Sequence, residues 1–192
     1  MMNKLETRIV SHPTDWTPLA QQRAFRSIVD AFSYPGRIVK LETQAAHVLP
    51  IVLATLADPA TLLADPCELV DAADRQRLGA KSASADQARF VVMPGSQAPD
   101  FEPALGTLDS PEKGATLILI ADEIGQGSGL ILSGPGIQSS TSLQVTGIDP
   151  QWWKLRRKWN SAFPLGVDVA LLGEHSVVAL PRTIKVAAEG GR

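Results

Sequence analysis

The chain has 192 residues, 44% of them hydrophobic and 5% aromatic, with 18 Lys and Arg against 20 Asp and Glu for a formal net charge of -2. That length fits one domain, residues 1–192, with a substantial core, and the balanced charge argues against nucleic acid as a partner, so any anion site must be local. The single cysteine, Cys67, excludes an intrachain disulfide and cannot supply the thiolates of an iron–sulfur cluster; it fits a reducing, cytoplasmic location.

No membrane span is expected, because the longest apolar run, Leu117 to Ala121, is strand-sized and Met1 to Val10 has no signal-peptide core. Residues 1–16 read as an extended segment. Thr17-Pro18 then starts a helix, threonine capping free N–H groups and proline costing nothing at the first helical position. Phe25, Ile28, Val29 and Phe32 form its expected core face, and Tyr34-Pro35-Gly36 ends it. A strand is predicted over Arg37 to Leu41, a fully buried helix over Pro50 to Ala57 stopped by Asp58-Pro59, and a short strand over Thr61 to Ala64.

A helix is predicted from Pro66 to Gly79, a loop from Ala80 to Asp86, a strand from Arg89 to Met93 and a further loop from Pro94 to Pro103. Ala115 to Ala121 and Gly129 to Ser133 read as strands joined in a hairpin across Asp122 to Ser128, with another strand near Leu143 to Thr146. Asp149-Pro150 opens a helix to about Ser161, with Trp152, Leu155, Arg156 and Trp159 on one side. Helices alternate with strands in the first half and strands adjoin strands in the second, so the expected fold is α/β: a mixed, partly antiparallel sheet flanked by helices.

The closing strands, Val167 to Leu172 and Val177 to Leu180, should pair antiparallel through Gly173-Glu174-His175-Ser176, bringing Asp168 beside Arg182. A three-residue loop would set the two charges face to face; a two-residue loop would put Asp168 opposite Pro181 and Arg182 opposite Val167. Residues 187–192 read as a flexible tail.

Six segments in order, Phe25 to Gly36, Leu56 to Pro59, Pro111 to Leu119, Gly134 to Ile137, Phe163 to Asp168 and Ala179 to Thr183, resemble the PhnH family of the bacterial carbon–phosphorus lyase system. The resemblance implies a fold like the large domain of pyridoxal-phosphate-dependent transferases, without the cofactor. It also implies a homodimer when isolated and a core complex with the G-, I- and J-type subunits of that system. That complex supports attack of an alkylphosphonate on the ribose of ATP, displacing adenine to give ribose 1-alkylphosphonate 5-triphosphate, with a partner subunit supplying the catalytic centre. No histidine lies between His47 and His175, so a role for a central family histidine is not carried over.

Asp168 and Arg182 have two readings: a structural ion pair closing the hairpin, or Arg182 as a fork for phosphate or phosphonate oxygens oriented by Asp168. Trp152, Trp153 and Trp159, interleaved with Lys154, Arg156, Arg157 and Lys158, are core or subunit-interface anchors in preference to a nucleotide-binding surface. Ser133 to Ile137 reads as a turn, because Pro135 removes a donor that a phosphate cradle would need. Arg26 and Asp30 read as a surface pair, Asp58 as a turn former, and His12, His47 and His175 as surface or turn residues. No nucleophile, base or metal set is evident, so an assembly subunit is favoured over a stand-alone phosphonate- or nucleotide-binding transferase or a ligand-binding sensor.

Overall fold

The computed structural model describes residues 8–188, so the expectations for residues 1–7 and 189–192 lie outside the described residues. Seven strands form the main sheet: β1 (Val39–Lys40), β2 (Leu62–Ala64), β3 (Lys81–Ser82), β4 (Phe90–Pro94), β5 (Thr116–Ile120), β8 (Asp168–Leu172) and β9 (Ser176–Leu180). They run in the order β1-β9-β8-β5-β4-β2-β3. The pairs from β3 through β8 are parallel, and β9 returns antiparallel between β8 and β1, so the sheet is mixed as predicted. A second, antiparallel sheet has the order β10-β6-β7, from β6 (Glu123–Ser133), β7 (Thr141–Thr146) and β10 (Lys185–Ala188).

Side chains alternate across the main sheet and feed two cores. Leu117, Leu119, Val169, Leu171, Val178 and Leu180 face the second sheet and α4 (Gln151–Trp159). Ile118, Ala170, Leu172, Val177 and Ala179 face α1 (Pro18–Ser33) and α2 (Leu49–Leu56), with α3 (Ala72–Leu78) at the margin. Both faces of β5, β8 and β9 are therefore covered, which is why these strands read as unbroken apolar runs.

Several boundaries fall where the sequence placed them: Thr17 Oγ1 accepts from the Ala20 N–H, and the Asp149 carboxylate accepts from the Gln151 N–H. Others differ for local reasons. Pro66 to Val70 is not helical, because the fully buried carboxylate of Asp65 takes the N–H groups of Leu69 and Val70 and pairs with Arg75 at 2.5 Å; the helix starts only after the cap at Asp71. Within the expected loop at Ala80 to Asp86, Lys81 and Ser82 form β3 beside β2.

The predicted hairpin across Asp122 to Ser128 does not form. Both edges of β5 are occupied, by β4 and β8, so β6 leaves the sheet and pairs with β7 and β10. On α1 the buried residues are Ala24, Ile28 and Ala31, and Phe32 packs against the same core, while Phe25 and Val29 are 53% and 46% exposed; of the expected core face, Ile28 and Phe32 hold and Phe25 and Val29 do not. The expected extended N-terminal segment contains a 3-10 helix, Pro13–Trp16, capped by His12, and Ala187 and Ala188 of the expected tail belong to β10.

Candidate functional site

The closing hairpin has a two-residue loop: Gly173 N–H bonds Ser176 O, and Val169 pairs with Leu180 through to Leu172 with Val177. Of the two registers left open by the sequence, this one sets Asp168 opposite Pro181, yet Arg182 still reaches back to it. Asp168 Oδ1 accepts from the Arg182 backbone N–H at 2.7 Å and from Nε at 3.4 Å, and Oδ2 accepts from Nη2 at 2.8 Å. Nη1 donates to the carbonyls of Pro111 and Pro164 at 2.8 and 3.2 Å. A guanidinium has five N–H donors, and these bonds leave one, on Nη2.

The packing around this pair explains two glycines, Gly114 and Gly166, of the PhnH-like segments. A Cβ on Gly114 would stand 2.9 Å from Arg182 Nη1 and 2.3 Å from Gly166 O, and one on Gly166 would meet Asn160 Oδ1 at 2.3 Å. Gly166 also has φ 139, in the region that favours glycine. The pair lies at the first residue of β8, at the amino ends of the parallel strands. Open α/β sheets bind ligands beyond the carboxyl ends. Asp168 and Arg182 thus form an internal ion pair at 2.8 Å that closes this end of the hairpin.

Sequence reasoning missed the part played by Arg156 and Asn160. Arg156 is 3% exposed and donates to the carbonyls of Leu180, Pro181 and Ile184, tying α4 to the link between β9 and β10. Burial lowers its pKa to about 10, against the opposing pull of Asp168, so it stays charged at neutral pH. The Asn160 amide exchanges bonds with Val167 and donates to Arg182 O. The available signal was Arg156 itself, a cation on the same side of the helix as two tryptophans.

Those tryptophans divide. Trp152 and Trp159 are buried, their indole N–H groups donating to Gly95 O and to Glu102, so the chain's own core takes the surface the sequence offered to an interface. Trp153 is half-buried and lines a cleft of about 830 Å³ between α4, β10 and the end of β6, as do Arg156, Arg157, Arg182 and Lys185. Arg157 and Lys185 are exposed. Lys158 pairs with Glu102 at 2.7 Å, and its hydrogen bond, followed by that of Trp159, holds the Glu102 carboxyl below its usual range.

The remaining residues singled out by sequence are dispersed. Asp30 pairs with Arg37 at 3.4 Å instead of with Arg26. Asp58 accepts from Ala60 N–H and Thr61 Oγ1 as a turn former, and Gly134 O accepts from Ile137 N–H in the predicted turn. His47 is the turn residue of its two readings: it lies half-buried in a bend before α2, accepting from Leu49 N–H, and burial lowers its pKa to about 4. No group of three or more histidine, cysteine or acidic side chains suited to a metal ion occurs among the described residues, and no described helix is long and apolar enough to cross a membrane.

The fold and its internally braced charges define an α/β protein with an open cationic cleft. Residues 14–187 match the family model for the bacterial phosphonate metabolism protein PhnH, and the chain belongs to that family. It is 46% identical over 195 aligned residues to a protein of Stutzerimonas stutzeri named as the C-P lyase subunit protein HtxG, with 99% of each chain covered. It is also 32% identical over 181 residues to the α-D-ribose 1-methylphosphonate 5-triphosphate synthase subunit PhnH of Rhizobium meliloti, covering 88% of this chain and 90% of that one. A role as a carbon–phosphorus lyase subunit in phosphonate metabolism follows from this family membership.

Proposed function

We propose that this chain is an assembly subunit of a cytoplasmic carbon–phosphorus lyase core complex. It forms a homodimer when isolated, joins subunits of the G, I and J types, and supports formation of ribose 1-alkylphosphonate 5-triphosphate from ATP and an alkylphosphonate without turning over alone. The supporting observation is that Arg182, the residue offered as a phosphonate fork, spends four of its five guanidinium donors on Asp168 and two carbonyls of its own chain. A brace of this kind favours a scaffold over a catalytic centre. The likeness to the large domain of pyridoxal-phosphate-dependent transferases belongs to the same reading, motivated by the mixed sheet covered on both faces; fold alone does not carry that family's chemistry.

Co-expression with the other subunits tests the reading. Size-exclusion chromatography with mass measurement should give a stable complex containing this chain. The purified chain alone, given ATP and methylphosphonate, should release no adenine. Adenine release by the isolated chain, or failure to co-elute with any of the other subunits, would overturn the proposal.

A further inference from the structure

The cleft beside α4 is not explained by the brace. Four cations line it, and the one carboxylate bonded to them, Asp168, leaves three positive charges uncompensated among the described residues. The carbonyl end of α4 opposes them with only about half an elementary charge. Arg157 and Lys185 have no carboxylate partner among the described residues. Arg156 is only 3% exposed, yet its neighbouring carboxylate is already committed to Arg182, and its own Nε has no hydrogen-bond partner. A buried cation without a dedicated counter-ion calls for an anion close by.

Most of the remaining lining is apolar, and part of it is aromatic: Trp153 stands one helical turn before Arg157 on α4. Trp153 lies half-buried along the cleft, and Phe163, 69% exposed, stands at its margin. A volume of about 830 Å³ lies in the range of small-molecule sites rather than single-ion sites. Flat rings stack on such side chains while arginine and lysine take phosphate oxygens, so one ligand must carry both a planar group and several negative charges.

We propose that the cleft binds a nucleoside polyphosphate, with Arg157 and Lys185 holding the phosphates and Trp153 and Phe163 the base. The site stands apart from the assembly reading, since it requires binding by this chain and no turnover. Titration of the full-length chain with ATP, followed by calorimetry and tryptophan fluorescence, should give saturable binding that weakens with salt. Arg157→Glu and Lys185→Glu should each weaken it by about tenfold or more, the loss of one charge-assisted contact to phosphate.

Both positions are exposed, so the thermal melts of these variants should match the parent and the variants should still co-elute with partner subunits, which separates loss of the site from loss of assembly. Trp153→Leu should weaken ATP while leaving inorganic triphosphate unchanged. The proposal is overturned if ATP shows no saturable binding at millimolar concentration, if the charge-reversal variants bind as well as the parent, or if inorganic triphosphate binds as tightly as ATP.

Discussion

Single residues in this protein are held by bonds to their own chain, and His47 shows what such a bond costs when it titrates. Nδ1 accepts the Leu49 N–H at 3.0 Å at the start of α2, so the ring proton must sit on Nε2, which is buried without a partner. Protonating Nδ1 would break the bond and place a charge in the interior. Burial is the main reason that the pKa falls from 6.5 to about 4, outweighing the nearby Glu174 carboxylate. Between those values the unfolded chain binds more protons than the folded one, so this stabilising contribution is complete above pH 6.5 and lost as pH falls toward 4. The full shift corresponds to about 3 kcal/mol. Urea unfolding at pH 7 and pH 4.5 should therefore show a smaller acid loss for His47→Asn, whose side-chain oxygen can still accept the Leu49 N–H. An acid loss equal to that of the parent would show that His47 is not the group responsible.

At the level of elements, α1 shows how helical phase is decided by what packs against it. The face buried on α2 and the sheet carries Ala24, Ile28 and Ala31; small residues let the helices approach closely, and the larger Phe25 and Val29 are turned outward. Ile28→Ser should cost about 3 kcal/mol or more in denaturant unfolding, as expected for emptying a core position and burying a hydroxyl. Phe25→Ser should cost under about 1 kcal/mol, as for an exposed site. Equal losses would return Phe25 to the core. The same element marks what the sequence made legible. Thr17-Pro18 and Asp149-Pro150 announced their helices because capping chemistry is local. The apolar runs of β5, β8 and β9 announced a covered, mixed sheet, and the closing hairpin announced the proximity of Asp168 and Arg182. The phase of α1 was hidden because two apolar stripes compete on one helix. The destination of β6 was hidden because its turn residues suit a hairpin and only the occupied edges of β5 forbid one. The cleft was illegible for a similar reason: Arg157 and Lys185 come from separate elements that meet only when β10 pairs with β6.

For the whole molecule, the decisive feature is that one sheet supplies both cores. Each of β4, β5, β8 and β9 contributes alternate residues to the core under α4 and the second sheet and to the core under α1 and α2. Neither core can dissolve without exposing the backbone on which the other is built. Arg156 adds a polar tie between α4 and the end of β9, so the helix cannot leave while the strand stays without abandoning three carbonyls in the interior. Unfolding should therefore be one cooperative transition. A Trp16→Phe variant makes the test sharp, because Trp16 packs against the α1 and α2 core whereas the three remaining tryptophans lie on α4. Tryptophan fluorescence of that variant then reports one core, while far-UV ellipticity at 222 nm is weighted toward the other, which contains the 16-residue α1 together with α2 where the first has the 9 residues of α4. The two signals should give the same urea midpoint and the same slope. An earlier fluorescence midpoint would mean that α4 and the second sheet form a separable lobe, and that their cleft could open while the main sheet remains folded.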